Sequence, residues 1–143
     1  MALKTFNTLI KLHKRKVEVI RREMIALEEE RRQLLELRDQ LDREHAREMS
    51  LAASEPKISG FFGAYSQRIR RRKAAIAEEI KRLDTAIEAK TEAIREEFSE
   101  QKKYEVAREH VRKRDAEEAH RRQQQRFDEI GSQQYRRGQE DTL

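Results

Sequence analysis

The chain has 143 residues, of which 36% are hydrophobic and 43% charged, with a net charge of +5. So few apolar side chains exclude a thick globular core, although they suffice for a thin seam between two helices. One proline and four glycines leave little material for turns, and the absence of cysteine excludes disulfides, so we expect a helical protein of a reducing cytoplasm.

The sequence also disfavours a membrane protein and a nucleic-acid-binding protein. No apolar run approaches the roughly 20 residues that span a bilayer, and the first residues are too charged for a secretory signal. We therefore expect no membrane insertion. The 33 basic side chains are interspersed with 28 acidic ones, an excess too small to favour direct nucleic-acid binding.

The first predicted element is a helix over about residues 3–52. Its apolar side chains recur at spacings of three and four, which keeps one face of an under-wound helix against a partner. This seam comprises Leu3, Phe6, Ile10, His13, Val17, Ile20, Met24, Leu27, Leu34 and Leu41. We interpret His13 as a packing residue, and Arg31 and Arg38 as charged interruptions.

A turn is predicted at about residues 53–58. Ser54-Glu55-Pro56 stands there, and proline removes a backbone donor and disfavours helix in the residue before it. This is the only strong helix breaker between Leu3 and Ile130. The chain therefore folds back on itself at this point.

The second predicted helix covers about residues 59–130. Its seam comprises Phe62, Ile69, Ile76, Ile80, Leu83, Ile87, Ile94, Tyr104 and Val111, with interruptions at Lys73, Lys90, Glu97 and Gln101. In an antiparallel hairpin bent near residue 56, the numbers of facing residues sum to roughly 112. Apolar residues then meet along most of the seam: Leu34 with Ile76 and Ile80, Phe6 with Tyr104 and Val106, Leu51 with Phe61.

The second helix outlasts the first. From about residue 112 nothing in the first helix remains to cover it, and residues 112–130 carry almost no apolar stripe. After Gly131 we expect a disordered tail, residues 131–143. The predicted fold is a single all-α domain, a long antiparallel two-helix coiled-coil hairpin whose second helix is longer than the first.

We expect no catalytic site, no metal and no cofactor. The four histidines are not spaced four apart, no cysteine assists them, and the isolated glycines do not form a phosphate loop. A two-helix fold also offers no water-poor cleft for catalysis. The protein is therefore expected to be a non-enzyme that binds other proteins.

Two features suggest where binding occurs. Basic runs, such as that from Arg68 to Lys73, are solvated surface, docking sites for an acidic protein surface or, as a third reading, phosphate-binding sites. The aromatic cluster Phe61, Phe62 and Tyr65 lies beside the predicted bend, where it either caps the seam or exposes a ring to a partner.

A family resemblance rests on the order of these features. A heptad helix and polar turn precede the motif Phe61-Phe62-Gly63-Ala64-Tyr65-Ser66-Gln67-Arg68-Ile69, and the long charged helix ends in Gln124-Gln125-Arg126-Phe127-Asp128-Glu129-Ile130. This resembles the flagellar export protein FliJ family, the central-stalk proteins of type III secretion ATPases, and its injectisome relatives. Similarity covers almost the whole chain.

The resemblance implies a stalk that binds and stimulates a hexameric flagellar export ATPase, contacts the cytoplasmic domain of the membrane export gate and handles export chaperones. It implies a cytoplasmic protein peripherally associated with the inner-membrane flagellar basal body. The implied ATPase-binding residues are Leu3, Phe6, Ile10, Tyr104, Val111, Phe127, Asp128 and Glu129. The implied gate-binding residues are Gln33, Leu37, Tyr65, Arg68, Arg72 and Ala75. The match is partial, because positions that are aromatic or apolar in some relatives are Gln40, Arg68 and Arg72 here.

Two alternatives remain open from the sequence. One is a generic coiled-coil scaffold or holdase-type chaperone whose hairpin binds clients. The other is a basic arm for RNA or DNA, whose affinity would fall steeply with salt.

Overall fold

The computed structural model describes residues 2–141, apart from the side chains of Ile58 and Ser59. Two helices, α1 (Ala2–Ser54) and α2 (Pro56–Asp141), pack against each other, and the described residues contain no strand. The predicted fold class is confirmed: the chain is an antiparallel two-helix hairpin whose second helix is the longer.

The break between the helices is a single residue, Glu55. It precedes Pro56, whose ring disfavours a helical conformation at Glu55 but suits the first turn of α2. The carbonyl of Leu51 accepts hydrogen bonds from the Glu55 backbone N and the Ser54 Oγ, each at 3.0 Å. Because these bonds close the last turn of α1, the break is shorter than the turn predicted over 53–58.

The contacts divide the chain into two units. The bend unit comprises residues 15–97, and the end unit comprises residues 2–14 together with 98–141. The prediction of a single domain stays a prediction.

The core of the bend unit is a cluster of the predicted seam residues. Leu41, Ile69 and Ile76 are buried, with 2%, 6% and 7% of their surface exposed. Leu34, which the sequence places opposite Ile76 and Ile80, packs against this cluster, and so does Ile80. Such a cluster stabilises the hairpin by removing apolar surface from water.

Charged residues that interrupt the seam bridge the two helices of the bend unit. Arg31 Nε bonds to Asp84 at 2.6 Å, and Lys73 Nζ lies 2.5 Å from Asp42. Lys90 forms an ion pair with Glu23 in the same way. These side chains are a third to a half exposed, so each pair adds little stability but helps to select the register.

The end unit has an aromatic seam. The ring of Tyr104 stacks on the buried His13 with centroids 5.5 Å apart, and it lies 6.3 Å from the ring of Phe6. Packing of His13 and the pairing of Phe6 with Tyr104 are therefore confirmed. The pairing of Phe6 with Val106 is wrong, because Val106 lies half a turn round from the seam and is 45% exposed.

Helix α2 does not end near residue 130. It continues through Gly131 and Gly138 to Asp141, so the expectation of disorder is wrong for residues 131–141, while residues 142–143 lie outside the described part. No glycine has a positive φ, and no proline follows. Glycine lowers helix stability by about 1 kcal/mol but does not by itself end a helix.

Candidate protein-interaction surfaces

Within residues 2–141 no three histidine or acidic side chains are grouped to hold a metal ion. His13 and His45 pack among aromatic rings, and His110 and His120 are exposed. None of the described helices is both long and apolar enough to cross a bilayer. Exposed surfaces along the two helices are the candidate sites for contact with other molecules.

The first surface is the uncovered part of α2, residues 112–141. Each of these residues is exposed, and the segment is about 45 Å long at 1.5 Å per residue. It carries eight basic and seven acidic side chains and six glutamines. A helix that is polar on all sides gains little from packing within its own chain, so this segment is suited to a polar partner.

The eight implied ATPase-binding residues fall into two groups in the end unit. Leu3, Phe6, Ile10, Tyr104 and Val111 are partly or fully buried between the helices. Phe127, Asp128 and Glu129 are exposed on the uncovered segment, with Phe127 70% exposed. The five residues of the first group pack between the helices, whereas the three residues of the second group are accessible to a partner.

The six implied gate-binding residues lie in the bend unit. Tyr65, Arg68, Arg72 and Ala75 recur at spacings of three and four, which places them on one face of α2. On α1, Gln33 and Leu37 line a shallow groove together with Glu79, the next residue of that α2 face. Leu37 and Tyr65 are half-buried against the core cluster, and the other four residues are exposed.

The aromatic cluster at the bend is divided between packing and exposure. Phe62 and Tyr65 pack on the ring of His45, with centroids 5.4 and 6.4 Å away, and the hydroxyl of Ser66 lies 2.9 Å from His45 Nε2. Phe61 is 80% exposed. The predicted seam pair of Phe61 with Leu51 is wrong, because the last turn of α1 leaves Leu51 47% exposed as well.

Sequence reasoning named Gln101 as an interruption of the end-unit seam but missed Asn7 and Arg108. Arg108 Nη1 donates to Asn7 Oδ1 at 2.9 Å, and Gln101 Nε2 donates to Glu105 Oε1 at 3.0 Å. The Arg108 Nε and Gln101 Oε1 atoms are buried without a partner in the described residues. The sequence contained a signal for this pair, because the residue numbers of Asn7 and Arg108 sum to 115, close to the value of roughly 112 predicted for facing residues. A search for apolar pairs does not find them.

Ion pairs lower the pKa of carboxyl groups on both helices. A hydrogen bond from Lys73 lowers the pKa of Asp42, and one from Lys103 lowers the pKa of Glu100. The pair of Glu100 and Lys103 joins neighbouring turns of α2, whereas that of Asp42 and Lys73 joins the two helices. Of these two pairs, only that of Asp42 and Lys73 makes the contact between the helices depend on protonation of a carboxyl group.

The family assignment is decided by a match that extends through both units. A family model described as the flagellar FliJ protein matches residues 2–140. The chain belongs to the FliJ family. It is thus a component of flagellar protein export, in a family of structural components not known as enzymes. Neither a comparison with curated proteins nor one with solved structures finds a match.

Proposed function

We propose that this FliJ-family chain is the coiled-coil stalk of the flagellar export ATPase, which it binds and stimulates. The observation that carries the proposal is the uncovered helix, residues 112–141, which is exposed throughout and bears nearly balanced charge. In the proposed complex this helix lies within the ring of ATPase subunits. Charged and glutamine side chains suit a polar ring lumen. Their polar contacts with the ATPase subunits can break and re-form, because no buried hydrophobic contact fixes the helix in one position.

A reconstitution with the purified export ATPase tests the stalk role. The full chain should raise ATP hydrolysis and the hexamer fraction, whereas a chain lacking residues 112–143 should do neither and still give the circular dichroism of a folded hairpin. Failure of the full chain to change either quantity would remove the proposal.

A point variant refines this test. Phe127→Ala removes the most exposed large hydrophobic side chain described in the uncovered segment and should weaken ATPase binding about fivefold or more. Ile25→Ala is the matched control, since Ile25 is also mostly exposed but lies in the bend unit. Equal losses from the two variants would exclude a specific contact at Phe127.

We further propose that the α2 face of Arg68, Arg72 and Ala75, with Gln33 and Leu37 beside it, binds the cytoplasmic domain of the export gate. Arg72→Glu should abolish binding to that isolated domain in calorimetry. Lys81→Glu is the control, because position 81 lies half a turn round the same helix, on its opposite side. Binding that survives Arg72→Glu and is lost in Lys81→Glu would contradict this assignment.

Export chaperones are the third proposed partner, on family resemblance alone. Together these contacts would hold a cytoplasmic protein peripherally at the flagellar basal body. No observation in the described residues specifically favours a generic scaffold, and the family match supports the export role.

A further inference from the structure

Positive charge is concentrated around the bend. Residues 42–73 contain eight basic and four acidic side chains, so this fifth of the chain carries +4 of the total +5. The uncovered helix, residues 112–141, has eight basic and seven acidic side chains over a similar length. The two ends of α2 therefore differ in charge, although both are rich in arginine.

Exposed apolar side chains lie in the same region. Phe61 is 80% exposed, and Met49 and Leu51 near the end of α1 are 51% and 47% exposed. Phe61 also lines a shallow groove with Arg68 and Glu48. Exposed apolar side chains that are grouped together and rimmed by polar residues mark a contact surface.

Positive charge and an exposed aromatic ring lie on the same face of α2. Phe61, Ala64, Arg68 and Arg72 follow one another at spacings of three and four, so they share one face of the helix. Arg71, three residues after Arg68, lies at the edge of the same face. This face begins with an exposed ring and continues with guanidinium groups. Proteins that bind at a membrane surface combine aromatic side chains with lysine or arginine in this way.

We propose that the bend, residues 42–73, binds the surface of a bilayer containing anionic phospholipid, with Phe61 entering the headgroup region and Arg71 and Arg72 near lipid phosphates. Insertion across the bilayer is not involved. Phe61 and Arg71 lie outside the residues proposed for the export gate, and an exposed ring beside guanidinium groups matches a surface that offers phosphates above hydrocarbon. The proposal is independent of ATPase binding and is tested without the ATPase.

Co-sedimentation with vesicles measures the binding. The full chain should sediment with phosphatidylcholine vesicles that contain phosphatidylglycerol, and not with phosphatidylcholine alone, and added salt should release it. Phe61→Ser and the double variant Arg71→Glu/Arg72→Glu should each lower the partition constant about tenfold.

Matched controls come from the uncovered helix. Phe127→Ser removes a phenylalanine that is also mostly exposed, and Arg136→Glu/Arg137→Glu reverses another adjacent arginine pair. Both should retain the partition constant of the unaltered chain. The substituted residues are all exposed, namely Phe61, Phe127, Arg71, Arg72, Arg136 and Arg137. Circular dichroism should therefore show an unchanged fold in every variant.

A site-specific probe is available because the chain has no tryptophan. Phe61→Trp should shift its emission to shorter wavelength with anionic vesicles and be quenched by lipids brominated near the headgroups, whereas Phe127→Trp should show neither effect. No sedimentation of the full chain with anionic vesicles would overturn the proposal, and so would equal losses in bend and control variants. Binding of an oligonucleotide through Arg71 and Arg72 without vesicle binding would overturn it in favour of a nucleic-acid contact.

Discussion

At the scale of single residues, the seam depends on a few side chains that lose nearly all contact with water. Leu41 is the most buried of them, at 2% exposure, and its cluster with Ile69 and Ile76 joins the two helices of the bend unit. Among the described residues six hydrophobic side chains are buried, so few others can compensate for the loss of one.

Leu41→Ala should therefore lower the free energy of unfolding by about 2–4 kcal/mol, since it removes buried apolar contact and leaves a cavity. Ile25→Ala, at a position 61% exposed, should cost less than about 0.5 kcal/mol. Urea unfolding followed by circular dichroism measures both values. Similar losses for the two variants would show that Leu41 is not a core residue.

Protonation of Asp42 should weaken the hairpin. Lys73 lowers the pKa of Asp42 in the folded chain, so the folded state binds fewer protons than the unfolded state around pH 4. The stability from this pair is present above the ordinary carboxyl pKa and is lost as pH falls through the lowered folded value.

Asp42→Asn should accordingly reduce the melting temperature at pH 7 more than at pH 3, where the pair is already weakened. Asp115→Asn, at an exposed position of the uncovered helix, should show no such difference between the two pH values. Thermal melts at both pH values decide this. A difference of the same size in both variants would contradict a specific role for the pair of Asp42 with Lys73.

At the scale of elements, the two ends of α2 are held in different ways. Its residues up to Val111 face α1, whereas residues 112–141 depend on intrinsic helix propensity and ion pairs such as that of Arg122 with Glu118. Gly131 and Gly138 reduce that propensity, and open space surrounds the position of an added Cβ at each.

Gly131→Ala and Gly138→Ala should each stabilise the local helix by about 1 kcal/mol, because alanine loses less backbone entropy on becoming helical. Hydrogen exchange of the double variant should slow within 112–141 and remain unchanged within 15–97, which serves as the internal control. Unchanged exchange in both regions would mean that the glycines do not limit the uncovered helix.

At the scale of the whole molecule, the hairpin depends on one interruption between two long helices. Pro56 prevents continuation of α1 by restricting Glu55 and by lacking a backbone N–H. If the break were removed, α1 and α2 could join into one helix, and each half would find its seam partner on a second chain.

Pro56→Ala should therefore increase the fraction of dimer in light scattering coupled to gel filtration. Pro56→Gly is the control, since glycine also lacks helix propensity and should keep more of the monomeric hairpin. A dimer fraction that is unchanged in Pro56→Ala would show that the residues around Glu55 suffice to maintain the bend.

The sequence predicted the two helices, their antiparallel contact and much of their register. It did so through heptad spacing, a single proline and the pairing of facing residues, because these features depend on local periodicity and on one backbone restriction. The motifs at Tyr65 and Phe127 also indicated the family. The sequence could not decide which aromatic rings at the bend pack and which stay exposed, since that depends on how the last turn of α1 closes against α2. It also failed to predict that Arg31, Lys73 and Lys90 bridge the helices or that α2 continues past Gly131. The ion pairs depend on the distance between facing side chains, and the length of α2 depends on whether the helix continues where no strong breaker stands. Only the tertiary structure decided both.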